Sequence, residues 1–464
     1  MFASLPQGQQ LHKLLSQGAA QGLKRVTSRF TNGHATGVTV AVLEDGTPFS
    51  ALSWARELLA DCLRERPATL GIAVLGLDDA VRVTTLKHLV AAASAAAFKL
   101  PSFKTEDHPR PVELESLTLL DVKPRLDIEA ARAEALGNNV ARWFTALPGN
   151  VLTAATYRGA VEDLAKARSL SCKFLGEKEL EKLGAGAFLA VAQGSADRGA
   201  GMLRLSYRPN EPRQPDLTLI GKGILFDSGG TNLKPFKSML NMHTDMQGSA
   251  VALGTLLALA ELKSPYAVDA WLAISENRIS AAAYKPQDVV YAANGTSIQV
   301  IHTDAEGRMV LADTLALAAR EEPKLMIDYA TLTAGCIVAL TQRYSGVFSN
   351  RIAANQLMLE AGAATGERVW PFPMDEDFDQ LLRSDVADVK QCPVESEGDH
   401  ILAARFLNRF VPRSIPWIHV DLSASEHKNG LAHVPTDITG FGVRLTLGLL
   451  AANTPAQIAG KLAS

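Results

Sequence analysis

Four carboxylates, two lysines and one arginine are gathered in and around two short segments of this 464-residue chain. The first runs from Gly221 and Lys222 through Ile224-Leu225-Phe226-Asp227 to Ser228-Gly229-Gly230, and is followed by Lys234 and Asp245. The second is His302-Thr303-Asp304-Ala305-Glu306-Gly307-Arg308. A globular chain has little reason to concentrate such charge among apolar runs, because buried charges must be paired or bound to metal. The inventory suits a two-metal hydrolytic site, in which divalent ions about 3.5–4 Å apart need bridging carboxylates and further oxygen or nitrogen donors. Asp227, Asp245, Asp304 and Glu306 can supply oxygen. His243 and His302 are the nitrogen candidates on chemistry alone, since neutral imidazole is the usual nitrogen ligand. Asp304 and Glu306 are two apart, so an extended backbone turns both to one face, with Arg308 continuing the series.

The elements that must position these groups can be read from the apolar pattern. Asp227 closes the run Ile224-Leu225-Phe226, and Asp304 follows Val300-Ile301 in the same way. Both therefore sit at expected strand ends, where open α/β sheets bind ligands. Further strand candidates are Leu217–Phe226, Ala267–Ile274, Ser297–Ile301, Lys324–Tyr329 and Trp417–Val420. Helical spacing separates most of them, at Gly248–Lys263, Arg308–Arg320 and Ile401–Phe410. Upstream, strand-like Gly37–Leu43, Thr69–Leu77 and Ser116–Val122 alternate with helix-like Phe49–Arg64 and Asp79–Phe98. A polar stretch, Lys104–Glu113, interrupts them. The expected fold is α/β: a small N-terminal α/β domain over 1–125, a connecting helix over 126–147, and a larger C-terminal α/β catalytic domain over 148–464 with a mixed central sheet.

Bulk properties narrow the function. Lys+Arg 46 against Asp+Glu 49 leaves no basic excess, so no nucleic-acid partner is expected. The longest apolar stretch, Leu89–Phe98, is too short to span a bilayer. The N-terminus lacks the apolar core of a secretory signal. Cys62, Cys172, Cys336 and Cys392 form no C-x-x-C pair and read as reduced thiols, so a cytoplasmic location is expected.

Residues 302–311, HTDAEGRMVL, resemble the signature of the leucine aminopeptidase family, usually N-T-D-A-E-G-R-L-x-L. The resemblance extends to GKGILFDSGGTNLKP at 221–235, DMQGSA at 245–250, SENRIS at 275–280 and TGFGVR at 439–444, and covers roughly residues 140–450. It implies a metal-dependent exopeptidase that removes N-terminal residues through water activated by two divalent ions (Zn2+ or Mn2+, with Co2+ or Mg2+ as further candidates). It implies that Lys222, Asp227, Asp245 and Glu306 hold one ion, and that Asp227, Asp304 and Glu306 hold the other. Lys234 and Arg308 match the family's catalytic residues, Lys234 toward the scissile carbonyl and Arg308 as holder of a bicarbonate that serves as proton-transfer base. Neither charge cluster contains a spare carboxylate for that task. His243 and His302 then become supporting or packing residues, and Met242 matches a position lining the pocket for the first side chain. A homohexamer is implied, as are two variant readings: a dipeptidase such as a cysteinylglycinase, and a bifunctional DNA-binding regulator. The chain departs from the pattern at His302, in place of the usual Asn, and at Thr333-Ala334-Gly335, where the family has T-G-A. It also departs at 391–401, QCPVESEGDHI, where a Gly- and Ser-rich loop is usual and where altered selectivity would arise.

Overall fold

The strand Leu217–Asp227 reads LTLIGKGILFD, an apolar run of the kind needed when both faces of a strand are covered. In the computed structural model it lies inside an eight-stranded sheet. The structure describes residues 7–463, apart from residues 21, 23, 34, 106–113, 121, 123–125, 127, 197, 211–213 and 396. Most of the polar stretch Lys104–Glu113 therefore lies outside the described residues. From edge to edge the sheet runs Val369–Pro371, Ser345–Ser349, Trp417–Asp421, Leu325–Ala330, Leu217–Asp227, Val268–Asn277, Gly201–Tyr207 and Ser171–Gly176. The four central strands are parallel. Ser345–Ser349 and Gly201–Tyr207 run antiparallel to their inner neighbours, so the sheet is mixed.

Helices Gln247–Glu261 and Glu306–Ala319 pack on the sheet. The first is apolar nearly all round and buried from Gln247 to Leu259, as a helix enclosed by its own domain must be. Leu253, Leu256 and Leu257 are fully buried, each worth about 1.5–3 kcal/mol relative to exposure.

The chain divides into two compact units, residues 1–135 with 428–437, and residues 136–427 with 438–464. The first unit holds an antiparallel pair, Arg25–Arg29 with Gly37–Ala41, and a parallel pair, Thr69–Ala73 with Ser116–Leu120. Helices Pro48–Leu63 and Asp79–Ala97 bury Ala55, Leu59, Leu86 and Leu89 in its core. Among the described residues no helix is long and apolar enough to cross a membrane.

The α/β class and the mixed sheet agree with the sequence pattern. Two local expectations are corrected. Ser297–Gln299 does not join the main sheet but pairs with Val289–Tyr291 and Val389–Lys390 in a three-stranded sheet of its own. The backbone past Asp304 is not extended: Glu306 opens the helix Glu306–Ala319, so Glu306 and Arg308 both occupy its first turn. Facing is there set by helical rather than period-two geometry.

Candidate active site

Lys222 and Asp227 are five apart on one strand, a spacing that would send them to opposite faces of a regular strand. Pairing with Val268–Asn277 loses register between Ile224 and Asp227. Such an irregularity re-aims side chains, and it brings Asp227 to the side on which Lys222 lies. The chain then turns through Gly229 and Gly230 at φ 87° and 65°, in the left-handed region that glycine tolerates. The Gly229 N–H donates to Asp227 Oδ1 at 2.8 Å.

Carboxylate oxygens of Asp227, Asp245 and Glu306, all buried, lie within 4.8 Å of one another. Two ammonium groups interleave with them. Lys222 Nζ lies 2.8 Å from Asp245 Oδ1, 2.9 Å from Glu306 Oε1 and 2.9 Å from the Thr331 carbonyl. Lys234 Nζ lies 2.8 Å from Asp227 Oδ2 and 2.7 Å from Asp304 Oδ1. Asn277 donates from Nδ2 to Asp227 Oδ1 at 2.8 Å and to the Thr303 carbonyl at 3.0 Å. Thr331 Oγ1 donates to Asp245 Oδ1 at 2.7 Å. Gly307 makes room for Lys222: a Cβ there would fall 2.8 Å from Nζ and 2.7 Å from Cε.

The electrostatics follow from four acids crowded in low dielectric. Burial pushes Asp245 up to about 8 against the pull of Lys222, and Glu306 and Asp227 add to the rise. Burial, Asp227 and Glu306 push Asp304 up to about 7 against Lys234. Glu306 is raised by burial and Asp227. Burial works against the charge on Lys222, but Asp245, Glu306 and Asp227 outweigh it and hold its proton firmly. The cluster is therefore rich in both negative charge and bound protons.

These residues fit a divalent cation. Asp245 Oδ2 and Asp304 Oδ1 are buried without a hydrogen-bond partner, although a lysine ammonium lies 2.7 Å from each. Buried lone pairs of that kind are what an oxygen-liking ion requires. The histidines stand apart. His302 is exposed and its Nδ1 accepts from the Asp304 N–H at 3.3 Å, while His243 is half-buried and neither joins the carboxylate triad. Burial lowers the pKa of both.

Arg308 is 2% exposed, and its Nη2 donates to both oxygens of Asp399, at 2.8 and 3.0 Å. Asp399, Asn277 and Thr331 are the groups that sequence reasoning did not single out. Asn277 ends the strand beside Asp227, so the strand-end rule could have found it. Asp399, which lies 91 positions from Arg308, gives no such signal.

Residues 139–447 match the profile of the cytosol aminopeptidase family, catalytic domain. The chain belongs to the cytosol aminopeptidase family. It is 40% identical over 396 residues to a probable cytosol aminopeptidase of Syntrophotalea carbinolica, covering 84% of this chain and 77% of that one. It is 40% identical over 346 residues to one from Roseiflexus castenholzii, covering 73% and 70%. In structure it resembles a mutant of tomato leucine aminopeptidase, with a TM-score of 0.85 at 28% identity over 96% of this chain and 88% of that one. It resembles the bottromycin maturation enzyme BotP in complex with Mn, with a TM-score of 0.84 at 29% identity over 94% and 96%. With the acidic triad in place, the protein is a metalloaminopeptidase of the leucyl aminopeptidase type.

Proposed function

We propose that the acidic centre holds two divalent ions and removes the N-terminal residue from peptides with a free α-amine. The observation that carries this reading is the triad Asp227, Asp245 and Glu306, closed to within 4.8 Å and flanked by Lys222, Lys234 and Asp304. Lys222, Asp227, Asp245 and Glu306 would hold one ion, and Asp227, Asp304 and Glu306 the other. When bound, the ions supply Lewis acidity, polarising a carbonyl and making a nucleophile of water at neutral pH.

The chain's own groups do the rest. Lys222 must give up the proton that its carboxylate neighbours now favour before it can donate a lone pair. Lys234, with 14% of its side chain exposed, can leave Asp227 and Asp304 for a substrate carbonyl oxygen and steady the negative charge that develops there. Arg308 would hold the anion that accepts the proton; the family resemblance implies bicarbonate, and in this chain the carboxylate that already meets Arg308 is that of Asp399. Met242, half-buried in the turn Met242–Thr244 ahead of Asp245, would border the first side chain of the substrate. An oxygen-rich site with one amine suits Zn2+ or Mn2+, with Co2+ or Mg2+ as further candidates. The family's cytosolic name supports a cytoplasmic location. Exposed Phe236, Leu240, Val338 and Ile352 offer apolar surface for a homohexamer.

The test compares leucyl amides with their N-acetyl counterparts at matched metal. Blocking the amine removes the group that aligns the scissile carbonyl, and kcat/KM should fall at least about a thousandfold, roughly 4 kcal/mol. Equal rates on both substrates would point to a general amidase.

A further inference from the structure

The carboxylates of the acidic centre are committed. Asp227 and Asp304 face Lys234, Asp245 and Glu306 face Lys222, and Asn277 takes a further oxygen of Asp227. In the two-ion reading all four also serve as metal ligands, which leaves none of them to take a proton from an attacking water. Asp399 stands outside that set. It begins the helix Asp399–Asn408, after Gly398 turns the chain at φ 65°. Both its oxygens accept from Arg308 Nη2, and its side chain keeps 27% of its surface exposed while that of Arg308 keeps 2%. Arg308 is steadied by its Nη1, which donates to the Gln391 carbonyl at 3.3 Å. The arginine also shares the first helical turn with Glu306, a member of the triad. A buried guanidinium, whose helical turn also carries Glu306, thus fixes an accessible carboxylate. Nη2 of Arg308 already meets a negative group, and a second anion held against the same guanidinium, at its unpartnered Nε, would be repelled by the first.

We propose that Asp399 is the general base of this aminopeptidase, a catalytic carboxylate that serves in place of an external anion on Arg308. The inference rests on the aminopeptidase reading above. As water attacks, its oxygen bonds to the scissile carbonyl carbon, one O–H bond breaks, and the proton passes to an Asp399 oxygen. When the C–N bond then breaks, its electron pair stays with nitrogen, and Asp399 returns the proton to that nitrogen. One water is consumed, a free amino acid and a shortened peptide leave, and Asp399 is again a carboxylate. Arg308 holds the base in place throughout.

The experiment uses the full-length protein reconstituted with metal, together with D399N and D399A. In CO2-free buffer the unaltered enzyme should run at full rate, and added bicarbonate should not change kcat. D399N and D399A should keep their metal content and KM and lose about a hundredfold or more in kcat, the usual contribution of a general base. Bicarbonate or formate should restore part of the D399A rate. A second readout does not depend on turnover: 13C-bicarbonate line broadening with the metal-free protein. The unaltered protein should leave the signal sharp, D399A should broaden it, and D399A combined with Arg308→Ala should not. The proposal is overturned if bicarbonate binds the unaltered protein and raises its rate, or if D399N retains kcat. Asp399 would then be only a counter-ion to Arg308. Absence of metal-dependent activity in the unaltered enzyme overturns the aminopeptidase reading instead, and the broadening experiment still decides whether Asp399 excludes an anion.

Discussion

The side-chain amide of Asn277 donates to Asp227 across the point where their two strands lose register, at 2.8 Å. Asn277 is fully buried, and the same nitrogen also reaches the Thr303 carbonyl. One neutral group thus orients a carboxylate of the triad and ties the loop before Glu306 to the strand end. Groups that orient ligands in this way are worth about 10–100-fold in metal affinity. Asn277→Ala should therefore weaken metal binding by that factor, measured by competition with a chelator. Unchanged affinity would mean that Asp227 is aimed by its strand and the Gly229 N–H alone.

Metal binding should expel protons. Asp245 and Asp304 sit at about 8 and about 7, pushed up first by burial, and Lys222 keeps its proton because of the acids around it. A cation selects the deprotonated forms, so affinity should fall as pH drops from about 8 through 7 and recover as it rises. Calorimetry at pH 7 in buffers of different ionisation heat should show net proton release. Heats independent of the buffer would mean that the cluster is already deprotonated before metal arrives.

Gly307→Ala separates folding from chemistry. Alanine in a helix is favoured over glycine by up to about 1 kcal/mol, which offsets part of the about 1–3 kcal/mol that overpacking costs, so the melting temperature should fall only modestly. The new Cβ would fall 2.7–2.8 Å from the end of Lys222, whose ammonium is pinned by Asp245, Glu306 and Thr331 and has little freedom to retreat. Metal content and kcat should both fall, by about tenfold or more. A variant with normal metal content would show that Lys222 can relocate.

Glu367 offers a test of stability remote from the triad. Its buried carboxylate accepts from the Gly442 N–H at 2.9 Å and the Leu445 N–H at 2.7 Å, at the start of the helix Val443–Ala452. Replacing it with Leu leaves these helix donors unsatisfied, a loss of about 2–3 kcal/mol. Denaturant unfolding should show the drop, with metal affinity little changed.

The sequence revealed the centre of the molecule better than its periphery. Lys222 and Asp227 were legible because each lies in an apolar run that is a strand of the parallel centre of the sheet, whereas the run before Asp304 pairs in the small three-stranded sheet. The flanking strands Ser171–Gly176 and Ser345–Ser349 were not, because short, partly polar segments gain their extended form from neighbours rather than from their own pattern. The D-x-E-x-R series looked extended because its spacing suits a strand, and only the tertiary structure starts a helix at Glu306. Asp399 follows a glycine and reads as an ordinary helix start. Its partner is set by the fold, which no local pattern encodes.

The strand order also constrains how the chain is made. Trp417–Asp421 inserts between Leu325–Ala330 and Ser345–Ser349, both of which precede it in sequence. During synthesis Leu325–Ala330 leaves the ribosome with one hydrogen-bonding edge open, and Ser345–Ser349 and Val369–Pro371 have no place to dock until residues 417–421 emerge. An unpaired apolar edge is a template for association with other nascent chains. The length of that interval, and not only the stability of the finished sheet, bears on how much of the chain reaches its folded state.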